Sequence, residues 1–320
     1  MPFEAKVIHA ATQRLRQRRE DNQQEYARRR SEVYQRLPRI QTIDHQLRKT
    51  VTLAATTALK KGADPAQAIA AIRDANLALQ QERAQLLQRN GYSPDYLLEK
   101  PVCPLCKDSG WVGARMCDCL KSLCTEEQNL LLSSMLDLKD QSFENFRLDY
   151  YSPTDQAIMG MVLNICRNFA VEFGTYAYQN LMLFGPPGVG KTFLSAAIAR
   201  VVSERGFSVV YDTAIQIFSQ FEMEKFTHDP ESIKSTQRYL SCDLLILDDL
   251  GSEFLSPMVQ TTLYHLINAR LVSNRCTVIS TNLTLTDIDT RYSRQSASRL
   301  KGEYQLLRCV GPDIRQKKRR

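Results

Sequence analysis

The sequence predicts an α/β protein: a parallel sheet covered by helices on both faces, preceded by an α-helical N-terminal module that ends in a zinc knuckle. Three observations carry this expectation. Over 180–202 a short apolar run leads into a glycine loop and then a helical pattern. After it, short β-rich runs alternate with helical stretches. Before it, a long stretch rich in Arg, Gln, Glu and Ala leads to two close cysteine pairs.

The chain has 320 residues, enough for more than one folded unit, and is 43% hydrophobic, as soluble proteins are. It has no run of eighteen apolar residues, so no membrane span is expected. The first twenty residues carry Arg14, Arg16, Arg18 and Arg19 and no apolar stretch of the secretory kind. Nine cysteines in that context point to a reducing cytoplasm, with metal binding ahead of disulfides.

Charge is placed unevenly. Residues 1–100 hold 18 Lys and Arg against 11 Asp and Glu, so they carry the whole net charge of +7. Such a segment suits nucleic acid or an acidic partner, and equally a solvated helix face. Residues 1–61 lack glycine and contain only Pro2 and Pro38, which predicts two helices broken near Pro38. Gly62-Ala63-Asp64-Pro65 stops one helix and starts another, with Asp64 as N-cap and Pro65 at the first helical position. Asn90-Gly91 ends that third helix, whose apolar stripe is Ile69, Ile72, Leu79, Leu86 and Leu87. Residues 1–100 are therefore expected to form a helical module. It is either a self-contained bundle or an adaptor that docks a partner.

Residues 103–119 read CPLCKDSGWVGARMCDC. Cys103 and Cys106, then Cys117 and Cys119, offer four thiolates from two turns, a set suited to tetrahedral Zn²⁺ in a structural site. Metal would supply folding energy that so short a loop cannot draw from a core. A redox pair is the alternative, and Cys124 a substitute ligand. Cys166, Cys242, Cys276 and Cys309 are expected to be buried and inert. The knuckle and a linker are assigned 101–135, and the nucleotide domain 136–320.

In that domain Leu181 to Phe184 is a buried strand and Phe193 to Val202 a helix. Between them, Gly185-Pro186-Pro187-Gly188-Val189-Gly190-Lys191-Thr192 fits the G-x-x-x-x-G-K-[ST] phosphate loop position by position. Its glycines let backbone N–H groups converge on phosphate, and the helix N-terminus adds donors and positive dipole. Lys191 would reach the β- and γ-phosphates of ATP, and the Thr192 hydroxyl would ligate Mg²⁺. Thr154 to Phe173 reads as a helix and Phe207 to Tyr211 as a strand. Ala214 to Phe226 reads as a helix, followed by a polar connection around His228-Asp229-Pro230. Strand Leu244 to Leu247 ends in Asp248-Asp249, and strand Thr277 to Ser280 ends in Thr281-Asn282. Ligands of parallel sheets sit at these carboxyl ends. Asp248 would hold Mg²⁺ opposite Thr192, Asp249 would orient the attacking water, and Asn282 would sense the γ-phosphate. Phe218, Phe221 and Phe226, with Lys225, could stack bases of single-stranded DNA, but at helical spacing they more often form core. The tail Lys317-Lys318-Arg319-Arg320 is a solvated basic end that could touch phosphates.

GPPGVGKT, LLILDDLG, VISTN and RYSRQSASRL together resemble the AAA+ ATPases of the DnaC/DnaI replicative helicase-loader family, within the IstB-like superfamily, over about 150–315. CPLCKDSG…CDCL is similar to what DnaI-type loaders carry at the end of a helicase-binding module. That match favours a loader over an IstB-type transposition helper, which would act on a transposase and duplex DNA. The resemblance implies nucleotide contacts from the loop, Gly185 through Phe193, and an acidic catalytic position at Asp249. Many AAA+ enzymes have Glu there, so the shorter Asp implies slow turnover. Asn282 resembles the sensor-1 residue. Arg299 most resembles the arginine finger supplied to a neighbouring copy, with Arg294 as alternative, and Arg315 is expected to be structural. No full C-terminal helical lid is expected. A DnaB-type helicase, single-stranded DNA and further copies of the chain are the implied partners, in replication initiation or restart.

Overall fold

The structure is a computed structural model and describes residues 3–58, 65–135, 141–175, 180–227 and 230–317. The chain divides into two compact units, 13–117 and 118–320 together with the first twelve residues.

The smaller unit is built on three helices. Helix α1 (Ala5–Arg36) ends just before Pro38, which opens α2 (Pro38–Ala58), and α3 (Pro65–Arg89) follows. Pro38 sits at the first turn, where its missing N–H costs no hydrogen bond. The Gly62–Asp64 stop and the side chains of Ile69 and Ile72 lie outside the described residues. At the other end of α3, Gly91 takes a positive φ and the Tyr92 N–H donates to Leu87 O, closing the helix as Asn90-Gly91 predicts. Val33, Ile40, Leu87 and Leu97 form the buried centre of this unit, with Leu86 packed against them. The half-buried pair Arg83–Asp44, at 2.7 Å, ties α2 to α3. A two-stranded ribbon, β1 (Trp111–Val112) and β2 (Arg115–Met116), closes the unit.

The larger unit is the α/β domain. Helix α4 (Asp118–Met135) precedes two single 3-10 turns and α5 (Pro153–Val171). Then come β3 (Asn180–Phe184), α6 (Lys191–Glu204), β4 (Val209–Thr213), α7 (Ala214–Thr227), α8 (Pro230–Ser241) and β5 (Leu244–Leu250). Helix α9 (Pro257–Val272), β6 (Cys276–Thr281), α10 (Leu285–Arg291), α11 (Arg294–Gly302), β7 (Gln305–Arg308) and α12 (Ile314–Lys317) complete it. The five strands run parallel in the order β4-β5-β6-β3-β7. Strand pleating separates two cores. Leu181, Leu183, Leu244 and Ile246 face α5 and α6, whereas Met182, Leu245 and Leu247 face α7 to α11. This is the parallel sheet covered on both faces that the sequence predicts.

Local chemistry sets the helix starts. Ser152 and Ser256 cap α5 and α9 ahead of Pro153 and Pro257, and Thr284 with Asp287 forms a capping box on α10. Gln128 of α4 is buried; it donates to Ser203 Oγ and Phe207 O and accepts from Val209 N–H, fixing α4 against the entry to β4. Two expectations are corrected, and one strand had none. The stretch expected as a polar connection at His228-Asp229-Pro230 is helical from Pro230, because that proline opens α8 and Tyr239 buries its side chain. The strand expected at Phe207 begins two residues later and continues to Thr213. The lone strand β7 carries no sequence signal beyond two leucines, yet it pairs with β3 along four residues. Phe218 is buried and Phe221 packs on the same core, as helical spacing suggests, whereas Phe226 is 75% exposed.

Candidate functional site

The phosphate loop spans the end of β3 and the start of α6. Gly185 has φ +148, and a Cβ there would lie 2.1 Å from the carbonyl oxygen of Cys309. Gly190 caps α6 at φ +93, and its Cβ would meet the Phe146 ring at 2.9 Å. Both positions exclude any side chain. The loop borders a cavity of about 480 Å³ that Asp248, Asp249, Ser280 and Asn282 also line.

Lys191 is buried at the loop's centre. Its ammonium donates to the carbonyls of Gly185 and Pro186 and to Asn282 Oδ1, each at 2.7 Å. Burial lowers its pKa despite the nearby Asp248 and Asp249. Thr192 Oγ1 lies 3.4 Å from Asp248 Oδ1. Asp248 also accepts from Ser280 Oγ and, at 2.8 Å, from the Tyr211 hydroxyl on neighbouring β4. Burial pushes the Tyr211 pKa well above its ordinary value, and the Asp248 charge adds to it. Asp249 sits in a bulge of β5 with φ +58. Its N–H donates to Ser280 Oγ at 2.9 Å, and its carboxylate accepts from Asn282 Nδ2 at 2.8 Å. Thus Lys191, Thr192, Asp248, Asp249 and Asn282 converge, and Asn282 joins the lysine to the second aspartate. The paired Thr192 hydroxyl and Asp248 carboxylate form an oxygen donor set of the kind Mg²⁺ takes beside a phosphate.

Sequence reasoning missed Tyr211 and Ser280, which touch Asp248 through neighbouring strands. It also missed the aromatic floor. Phe146 and Tyr151 stack with ring centres 6.0 Å apart, Phe193 meets Phe146 edge-on, and the Tyr151 hydroxyl donates to Val189 O. Nothing local in FENF, residues 143–146, marks its place under the loop. Arg315, expected as structural, lines the cavity beside Ile314, whose N–H donates to Gly188 O at 3.0 Å. The parallel pairing of β7 with β3 carries the chain's end to the loop, which no local pattern reveals. Arg299 instead lies on α11 with its guanidinium 5.6 Å from the Tyr264 ring, and Arg294 is exposed at the start of the same helix. Neither lines the cavity.

Cys103, Cys106, Cys117 and Cys119 bring their sulfurs within 4.8 Å of one another, and Cys103 and Cys117 are 3.8 Å apart. A tetrahedral zinc with bonds of about 2.3 Å separates its sulfurs by about 3.8 Å. The four thiols therefore fit zinc. Asp108, unremarked in the sequence, is buried and accepts from the N–H groups of Val102 and Cys103. Lys107 and Asp108 both have φ near +60 (52° and 61°), which turns the chain sharply after the first cysteine pair. Cys124 is not among the clustered thiols; it is buried, and burial raises its pKa to about 11. Cys166, Cys242, Cys276 and Cys309 are buried and free, as expected.

Fold and loop together define an ATP-binding protein of the phosphate-loop class. The IstB-like ATP binding protein family model matches residues 129–298, more than half the chain, and the chain belongs to that family. A chromosomal replication initiator protein DnaA from Borrelia garinii is 26% identical over 160 residues, 49% of this chain and 31% of that protein. An insertion sequence ATP-binding protein from Sinorhizobium fredii is 35% identical over 92 residues, 28% of this chain and 30% of that one. The chain thus spans about a third of the length of these relatives. Among solved structures, the DnaC helicase loader is 23% identical with a TM-score of 0.47, covering 54% of this chain and 99% of that one. DnaI is 20% identical with a TM-score of 0.45, covering 55% and 92%. Among the described residues no helix is long and apolar enough to cross a membrane.

Proposed function

We propose that the protein is a cytoplasmic, ATP-dependent loader that binds a DnaB-type replicative helicase and delivers it to single-stranded DNA in replication initiation or restart. The observation that carries this reading is the pairing of a built nucleotide site with a four-thiol knuckle at the end of a basic helical module, the combination in which the sequence resembles DnaC/DnaI loaders. Residues 1–100 would grip the partner, 101–135 would hold zinc through Cys103, Cys106, Cys117 and Cys119, and 136–320 would bind and hydrolyse ATP.

Within the site, the loop from Gly185 to Phe193 would cradle the phosphates with its N–H groups. Lys191 would exchange its loop carbonyls for β- and γ-phosphate oxygens, leaving Asn282 to read the γ-phosphate. Thr192 and Asp248 would hold Mg²⁺, which neutralises charge developing on the phosphates when bound. Asp249 would accept a hydrogen bond from the attacking water and orient it. Its short side chain is consistent with slow turnover. Arg299, or Arg294, would act on the γ-phosphate of a neighbouring copy, because neither reaches the cavity of its own chain.

A transposition helper remains the second reading, favoured by the family match and the Sinorhizobium fredii relative. One experiment separates the two. Full-length protein is offered a DnaB-type helicase or a transposase, with and without ATP, and loading of helicase onto single-stranded DNA is followed. ATP-dependent loading supports the first reading. Transposase capture with no helicase binding overturns it.

A further inference from the structure

The turn that follows the two aspartates is fastened to the helix pair that carries the candidate finger arginines, through one buried carboxylate that nothing above assigns. Glu253 is 4% exposed. Its Oε2 accepts the Gly251 N–H at 2.7 Å, two residues past Asp249. Its Oε1 accepts the Tyr292 hydroxyl at 2.5 Å and faces the Arg291 guanidinium at 3.4 Å. Arg291 also donates to the Glu253 carbonyl, and its own carbonyl accepts from Gln260 of α9. Arg291 and Tyr292 end α10, and Ser293 then caps α11, whose first residue is Arg294.

The anchored turn has little freedom of its own. Asp249 is held at φ +58, and Gly251 takes φ +105 where a Cβ would lie 2.7 Å from Leu283. A non-glycine residue at positive φ persists only where its surroundings over-determine it. Here the surroundings are Ser280 on the Asp249 N–H, Thr281 on the Leu250 carbonyl, and Glu253 on the Gly251 N–H. Only the last of these comes from a group that is also bonded to the α10–α11 corner.

We infer that Glu253 is a positioning residue. It holds the Asp248–Asp249 turn and the α10–α11 corner in one geometry, so that the water-orienting carboxylate and the arginine offered to a neighbouring copy are set together. The inference rests on the ATPase reading. It predicts a particular split: weakening the clamp misplaces groups that act in the transition state and leaves nucleotide binding by the loop intact.

The test uses the full chain and the variants Glu253→Gln, Tyr292→Phe and the pair combined. Tyr292→Phe removes a single hydroxyl and guards against loss of fold. Affinity for a fluorescent ATP analogue, kcat, KM and Tm are measured, together with specific activity as protein concentration rises. The expected result is a loss in kcat of about tenfold or more for Glu253→Gln, with nucleotide Kd within about twofold. Tyr292→Phe should give a smaller loss in the same direction, and the double variant should fall short of the product of the two. The rise of specific activity with concentration should also flatten. Unchanged kcat in both single variants, or nucleotide affinity and Tm falling in step with kcat, would overturn the inference. Wild-type protein without turnover that depends on Lys191 would instead overturn the reading beneath it.

Discussion

Replacing Lys191 with methionine keeps the aliphatic stem and removes the charge, and the structure sets what should follow. Without nucleotide the ammonium makes three hydrogen bonds, all to neutral acceptors and all in a buried site that lowers its pKa. Their loss is offset by relief of a desolvated charge, so free-protein stability should move by no more than about 1 kcal/mol, a Tm change of about 2–4 °C. The bound state differs. Two charge-assisted bonds to phosphate oxygens, at about 1.5–2 kcal/mol each, should vanish with no compensation. ATP affinity should fall by about 3–4 kcal/mol, between a hundredfold and a thousandfold, and turnover should disappear. Thermal shift against ATP reads both states at once. At a hundredfold excess over Kd, ATP should stabilise the wild type by about 2.7 kcal/mol and the variant hardly at all. A variant that keeps the ATP-dependent shift would refute the placement of Lys191 against phosphate. So would a free variant that melts far below the wild type, because the bonds seen without nucleotide would then be structural.

Three further outcomes are expected. Chelation of the purified protein, or Cys117→Ser, should release about one equivalent of zinc and expose the thiols to a colorimetric reagent, with secondary structure lost from the 101–117 region by hydrogen exchange. Arg270 is fully buried and donates to the carbonyls of Tyr239, Cys242 and Cys276, to Thr277 Oγ1 and to Cys242 Sγ; Arg270→Ala strands those acceptors and leaves a void, and should lower unfolding free energy by about 3 kcal/mol or more in urea melts. Burial raises the pKa of Tyr151, Tyr211, Tyr239, Tyr292 and Tyr304 above the ordinary 10.0. The folded state therefore keeps protons that the unfolded state gives up above pH 10, so stability should be fully present below that pH and fall steeply above it, by up to about 1.4 kcal/mol per pH unit for each tyrosine. Urea midpoints across pH 8 to 11, with tyrosinate absorbance followed in parallel, check the slope.

What the sequence made legible was whatever lies within one short stretch of chain. The phosphate loop, the four cysteines over 103–119 and the acidic strand end each carry their chemistry locally, and the sheet orients the first and last of these by a rule general to parallel strands. Contacts made across strands were not legible. Tyr211 reaches Asp248 only because β4 lies beside β5 with Thr213 opposite Asp248. Arg315 reaches the cavity only because β7 pairs with β3, and four residues of QLLR do not announce a strand. Asp108 carries no signal in the sequence, yet its two accepted N–H bonds hold the backbone that presents Cys103. The alternation that predicts a sheet is silent on strand order, and strand order decides these partners.

Asp249 joins the two levels. As a matter of reach, an aspartate is one methylene short of the glutamate common at this position in the family the sequence resembles, and the slow turnover proposed above would follow from that alone. The backbone supplies an independent reason for the short side chain. At φ +58 a residue pays in steric contact with its own carbonyl, and aspartate and asparagine tolerate that region several-fold better than longer residues. The carboxylate is then held by Asn282, which also accepts from Lys191. An elongated side chain would have to leave that hydrogen bond or push the bulge out of its register with Leu250 and Thr281. The residue that looks like a catalytic compromise in the sequence is, in the fold, the one that suits both the left-handed turn and the lysine-linked asparagine.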